Sequence, residues 1–212
     1  MQQDHTIRRI PSADWLLHRF ARFDRRANNV AAIGRERQVL TALMYRLSRA
    51  GDDGRVWIAS VLVLARRRDR PASWAVRALL VLGVESIAVN WGLKNLFRRS
   101  RPVSCVDHGA RLRPPTDTSF PSGHAASGTT MAVLLSDGSG SHAWWLLAAG
   151  IGWSRVHLGV HHASDVVAGW AVGAGFGFAA RAWVRADRCP TDPNHRVSHT
   201  GRLVHDLEEF HR

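Results

Sequence analysis

The chain has 212 residues, long enough for one domain with a sizeable core, and a formal net charge of +12 in which Lys94 is the single lysine. A basic chain points to nucleic acid, an anionic membrane surface or an anionic substrate. The sequence has no zinc-finger spacing, no basic heptad region and no RNA-binding aromatic signature, which argues against nucleic acid.

The N-terminal stretch MQQDHTIRRIPSADW lacks the apolar core of a signal peptide, so a soluble secreted protein is not expected. Residues 1–50 then show helical periodicity. Leu16, Phe20, Phe23 and Ala27 share one face, and Leu40, Leu43, Met44 and Leu47 share another. Two amphipathic helices are expected, packed on a core or lying on a membrane surface. The apolar stretch Val56–Ala65 falls short of the roughly 20 residues needed to cross a bilayer. It reads as a short span, a re-entrant piece or a buried helix. A basic knot of Arg66, Arg67, Arg68 and Arg70 follows, closed by Pro71. Trp74–Phe97 is long enough to cross, and its mid-span carboxylate, Glu85, is expected to face the bundle and bond a neighbour such as Asn90 or an arginine.

Residues 98–120 read as a loop. Apolar helical runs follow at about 121–136, 143–156 and 161–184, the last rich in small residues that suit close helix contact. Trp57, Trp74, Trp144, Trp153 and Trp183 stand near the ends of apolar runs, as an aromatic belt would. The tail from Arg185 is polar. Cys105 and Cys189 make no disulfide framework, and the topology puts them on opposite sides of the bilayer. The expected organisation is an N-terminal pair of amphipathic helices (1–50), a helical bundle (51–184) and a polar tail (185–212). The fold class is all-α, an integral membrane bundle with about four to six membrane helices.

Three polar clusters sit at the ends of apolar helices. In KNLFRRSRP, Lys94 and Arg101 are two helical turns apart and share a face if the helix continues, and Arg101 can grip an oxyanion through two N–H groups. In SFPSGHAAS, Pro121 suits a first helical turn and Ser119 a cap. The N–H groups of Ser122 and Gly123 would then form an anion site with His124 beside it. In SRVHLGVHHASD, His161 and Asp165 are four apart, so the carboxylate can hold Nδ1 of a nucleophilic or basic histidine, and Arg155 adds a cation. His157 and His162 read as neighbours of that pair. A zinc site on His157 and His161 is disfavoured, since Gly159 weakens the helix between them and Leu158 stands where a glutamate is expected. Together the clusters suit phosphoryl transfer without a metal.

The three motifs resemble the signature of the type 2 phosphatidic acid phosphatase (PAP2) superfamily: Lys94–Arg101–Pro102, Pro121–Ser122–Gly123–His124, and Ser154–Arg155–His161–Asp165, all at the family spacing. The resemblance covers roughly residues 74–184. It implies that His161 attacks phosphorus, that Asp165 orients it, and that His124 protonates the leaving oxygen and later activates water. It also implies that Lys94, Arg101, Arg155 and the Ser122–Gly123 backbone hold the phosphoryl oxygens. The expected activity is hydrolysis of a lipid phosphate or pyrophosphate (phosphatidate, phosphatidylglycerophosphate or a polyprenyl phosphate) through a phosphohistidine, with no metal or cofactor. The expected place is the cell membrane, crossed several times, with the site on the extracytoplasmic side. Soluble acid phosphatases and vanadium haloperoxidases use the same three-part site and are the alternatives.

Overall fold

The computed structural model describes residues 11–66, 71–102, 118–136 and 141–186, with side chains from residue 20 onward. Cys105, Cys189, most of the basic knot and the tail beyond residue 186 lie outside the described residues. All secondary structure among the described residues is helical: α1 (Pro11–Ile33), α2 (Gln38–Gly51), α3 (Arg55–Ala65), α4 (Ala72–Ile87), α5 (Lys94–Phe97), α6 (Gly123–Leu135), α7 (Ser141–His157) and α8 (Ala163–Val184). A short turn, Asp52–Gly54, joins α2 to α3, and a π-helical segment, Ala88–Leu93, joins α4 to α5 without a break.

The rod Ala72–Phe97 and helix α8 are each long and apolar enough to cross a membrane. On the rod, Trp74, Ala78, Leu82, Glu85 and Val89 turn inward, while Val76, Leu80, Val84, Ile87 and Trp91 face out. That outward stripe recurs every three or four residues. Extended to Leu96 at 1.5 Å per residue it covers about 30 Å, the thickness of a hydrocarbon core. The other core helices are shorter: 11 residues in α3, 13 in α6 and 17 in α7. Glu85 does face the bundle, but its partner is the Ser127 hydroxyl, which donates to Oε2 at 2.7 Å. Asn90 instead donates to Ser86.

Helix α6 is the centre of the bundle, buried along nearly its whole length. It meets α8 along a seam of glycines one helical turn apart. A Cβ at Gly169 would lie 2.5 Å from the Ser122 carbonyl oxygen, at Gly173 2.1 Å from that of Ala126, and at Gly177 2.7 Å from Val133 Cβ. No side chain fits at these points, so the two backbones touch, and the Thr130 hydroxyl donates across the seam to the Gly173 carbonyl. Around α6 a core forms from Trp57, Trp74, Leu82, Leu134 and Ile151, drawn from α3, α4, α6 and α7.

Helices α1 and α2 pack on α7 and α8. In α2, Met44 and Tyr45 are buried against Leu158 and Val160, while Leu43 is exposed. In α1 the expected apolar face is turned out: Phe20 and Phe23 are exposed, and the buried face runs through Asp24 and Ala31 with Ala27 packed beside it. The reason is a partner that the sequence does not announce. Asp24 accepts hydrogen bonds from Arg99 and Ser164, so a charge on the inner face is compensated there.

The glycine seam generates a paired prediction. Gly173→Ala is expected to lower the thermal midpoint measurably, at a cost of about 1–3 kcal/mol as for other overpacked sites. Gly175→Ala, two residues away with nothing within 4 Å of its Cβ position, is expected to be neutral or slightly stabilising. Thermal unfolding of the two purified variants beside the parent checks both.

Candidate active site

The segments bearing the three motifs meet at one end of the bundle. They surround a cavity of about 530 Å³ lined by Lys94, Arg101, Gly123, His124, Arg155 and His161 on one side and by Ile58, Leu79, Leu82 and Gly83 on another. Ser122 and Asp165 stand behind this wall, both fully buried.

Lys94 and Arg101 do not share a helix. The rod ends at Phe97, and Arg98 adopts a left-handed conformation at φ 37° that turns the chain out of the helix. Arg101 therefore reaches the cavity from the irregular segment that follows the rod. It is held there by donating to the carbonyls of Val160 at 2.8 Å and Thr118 at 3.3 Å. Its NH1 also lies 3.3 Å from His161 Nε2. A guanidinium only donates, so this contact favours the tautomer with the lone pair on Nε2 and the proton on Nδ1.

His161 and Asp165 are likewise not on one helix. His161 precedes α8, His162 is its N-cap, and Asp165 is the third residue of the first turn. Asp165 Oδ2 accepts the His162 N–H at 2.9 Å, and Oδ1 accepts from Arg99 at 2.6 Å. His161 Nδ1 lies 3.7 Å from Oδ2, an ion-pair separation rather than a hydrogen bond, and makes no hydrogen bond. Contacts of this kind tighten in many enzymes only when substrate is bound. Burial, with the nearby cations Arg155 and Arg101, pushes the His161 imidazole down to about 3 against the opposing pull of Asp165. The ring is therefore neutral at ordinary pH.

Helix α6 begins at Gly123 with Ser122 as its N-cap, so Pro121 lies outside the first turn. Ser119 does not cap it: its hydroxyl donates to the Ser100 carbonyl, tying the second motif to the first. The Ser122 N–H is already committed to the Asp165 carbonyl at 3.0 Å, and its buried hydroxyl has no hydrogen-bond partner. Of the two N–H groups expected to face an anion, only Gly123 belongs to a residue on the cavity wall. His157 is separate from the cavity. The Thr41 hydroxyl donates to the Arg35 carbonyl and is left to accept His157 Nε2–H at 3.1 Å, so this histidine pins α2 to α7. Among the described residues no three His, Cys, Asp or Glu side chains form a metal-binding group.

Several contacts that support the site escaped the motif reading. Arg99 bridges Asp165 and Asp24, at 2.6 and 2.7 Å. Arg155 donates to the Ser48 hydroxyl on α2. Arg35 donates to the carbonyls of His157 at 2.7 Å and Val156 at 3.2 Å, closing the last turn of α7. His124 Nε2 donates to Asp52 Oδ1 at 2.9 Å. The stretch AGDDGR, acidic residues in a glycine turn between two helices, was the one visible hint of this last contact.

The family model described as "PAP2 superfamily" matches residues 74–189. An undecaprenyl-diphosphatase of Sulfolobus acidocaldarius is 36% identical over 144 residues, covering 66% of this chain and 68% of that protein. A decaprenylphosphoryl-5-phosphoribose phosphatase of Mycobacterium tuberculosis is 35% identical over 149 residues, covering 67% of this chain and 79% of its own length. Among solved structures, LpxE of Aquifex aeolicus superposes with a TM-score of 0.60 at 26% identity, covering 72% of this chain and 91% of that one. The chain belongs to the PAP2 superfamily of phosphatases.

Proposed function

We propose that the protein hydrolyses a lipid phosphate or pyrophosphate in a membrane, without a metal, through a phosphohistidine intermediate. One observation carries this reading: a single cavity joins a floor of three cations and two histidines to a wall of apolar side chains from α3 and α4. The floor suits a phosphoryl group and the wall suits a hydrocarbon chain. The relatives named for undecaprenyl and decaprenyl substrates favour a polyprenyl chain.

In the first step Nε2 of neutral His161 attacks phosphorus, and Arg101 passes from that nitrogen to the phosphoryl oxygens. The P–O bond to the leaving group breaks as His124 gives it a proton. Asp165 stabilises the charge that the imidazole gains. In the second step His124 takes a proton from water, the water oxygen bonds to phosphorus, and the P–N bond breaks to release phosphate. Lys94, Arg101 and Arg155 hold the equatorial oxygens throughout, the task a metal ion performs in other phosphoryl-transfer sites.

The rod and α8 cross the membrane in this reading. The arginines of residues 66–70 precede the far end of the rod, but residues 1–50 carry at least as many, so charge does not decide the side, and it is the family resemblance that favours a cytoplasmic far end. The catalytic cavity then faces the extracytoplasmic side. An impermeant thiol reagent on intact cells is expected to label Cys105 and spare Cys189; the reverse pattern would invert the topology.

Phosphate release from detergent-dispersed prenyl phosphate, prenyl pyrophosphate, phosphatidate and phosphatidylglycerophosphate, each with and without EDTA, tests the activity directly. Turnover of at least one lipid is expected to persist in EDTA, and loss restored by a divalent metal would refute the mechanism. His161→Ala is expected to abolish turnover. Asp165→Asn is expected to lower kcat by about 10³–10⁴ with little change in KM, as mis-set tautomers do elsewhere. Arg99→Ala unpairs one oxygen of a fully buried carboxylate. Because Arg99 is itself partly exposed, the expected cost is about 2 kcal/mol of stability, read by thermal unfolding.

A further inference from the structure

The family match begins at residue 74, yet the carboxylate nearest the cavity's second histidine comes from before it. We infer that Asp52 is a positioning residue for His124, orienting it and favouring its protonated form, so that the turn after α2 completes the general acid. This rests on the reading of His124 as the acid.

The geometry is specific. Asp52 is the first residue of the turn between α2 and α3, and the next two residues, Asp53 and Gly54, are both left-handed, at φ 53° and 68°. This reversal brings the Asp52 carboxylate up to the imidazole. His124 Nε2–H is given to Oδ1, which leaves Nδ1 as the nitrogen available to a substrate. The preceding residue shapes the same contact. A Cβ at Gly51 would lie 2.9 Å from His124 Cδ2 and 2.9 Å from Ile151 Cγ2. Glycine is therefore needed for the ring to lie against the end of α2.

The electrostatics explain why a carboxylate is useful here. His124 faces Arg155 from α7 and Lys94 from α5, and Asp53, Arg101 and His161 line the same cavity. Burial and the Arg155 charge lower the affinity of His124 for a proton, and Lys94 adds to the effect. An acid needs that proton in place. Asp52 opposes both, through its hydrogen bond and its charge. Burial alone would raise Asp52, but the bond from His124 and the cations Arg155 and Arg55 hold its carboxyl below the ordinary range. Asp52 is thus ionised at neutral pH. Sequence position hides the link: the two residues are 72 apart.

A positioning role has a signature that a structural role lacks. Protonation matters for a poor leaving group and little for a good one. Asp52→Asn is expected to lower kcat/KM, which excludes the later attack of water, by about 10²-fold on a long-chain alkyl phosphate, the lower end of what general acids contribute. On a nitrophenyl phosphate the same variant should lose less than about threefold. Because Asp52 favours the protonated imidazole, its loss should also move the alkaline arm of the alkyl phosphate pH–rate profile to lower pH. Asp52→Glu, which keeps the charge, should restore much of the activity. Gly51→Ala, which pushes the ring rather than removing the carboxylate, should give the same leaving-group dependence if Asp52→Asn does not fold. His124→Ala measured alongside separates the two levels. Should His124→Ala lower kcat/KM, which reports the first step alone, equally on both esters, the acid assignment itself fails. Should it show the dependence while Asp52→Asn and Gly51→Ala lose both activities equally, or neither, with the alkaline arm unmoved, the role of Asp52 is overturned.

Discussion

The direct contact of two helix backbones, α6 on α8, is the constraint on which the rest depends. Helix pairs usually stand 8–10 Å apart because side chains intervene. Here glycines remove one set of side chains, and the carbonyls of Ser122 and Ala126 rest on α8. At the end of this seam the Ser122 N–H donates to the Asp165 carbonyl, so the turn carrying His124 and the turn carrying His161 are fixed to each other by backbone alone. Backbone atoms have far less freedom than long side chains. A site that must place two imidazoles around one phosphorus gains most from this kind of rigidity.

Around that frame the molecule solves an electrostatic problem. A phosphoryl pocket gathers cations, and gathered cations repel one another and disfavour imidazolium. Compensation comes largely from carboxylates set behind the pocket, Asp24, Asp52 and Asp165. Arg99 is shared between Asp24 and Asp165, which leaves Arg101 and Arg155 to face the cavity. Much of this counter-charge and support comes from α1, α2 and the turn that follows, through Asp24, Ser48 and Asp52. These helices lie outside the stretch matched to the family, yet they are built into its site.

Helix type, order and approximate limits were legible in the sequence, because apolar runs of period 3.6 and Gly/Pro breaks are local signals. The residues on the cavity floor were legible because their spacing is linear. What failed were statements about shared faces. His161 with Asp165 was placed on one helix, and Lys94 with Arg101 on one face if the helix continued, whereas each pair straddles a helix end. Spacing gives a face only if the helix continues, and Arg98 in one case and the α8 N-cap in the other interrupt it. For α1 the apolar stripe left core packing and a membrane surface open, and Phe20 and Phe23 face outward because the inner face carries Asp24 with its partners. The pairings of Asp24, Arg99 and Asp52 could not be read because their partners are far away in the chain.

That separation sets when the site can exist. Asp24 meets Ser164 across 140 residues, Arg35 meets His157 across 122, and Ser48 meets Arg155 across 107. Contacts between distant parts of a chain form late, because the intervening loop must close before they repay its entropy. The N-terminal helices leave the ribosome first and hold half of the constellation with nothing to bind. Only when the start of α8 has been made do both halves coexist. The cavity's supports are therefore completed only once the start of α8 has been made, long after the helices that supply them.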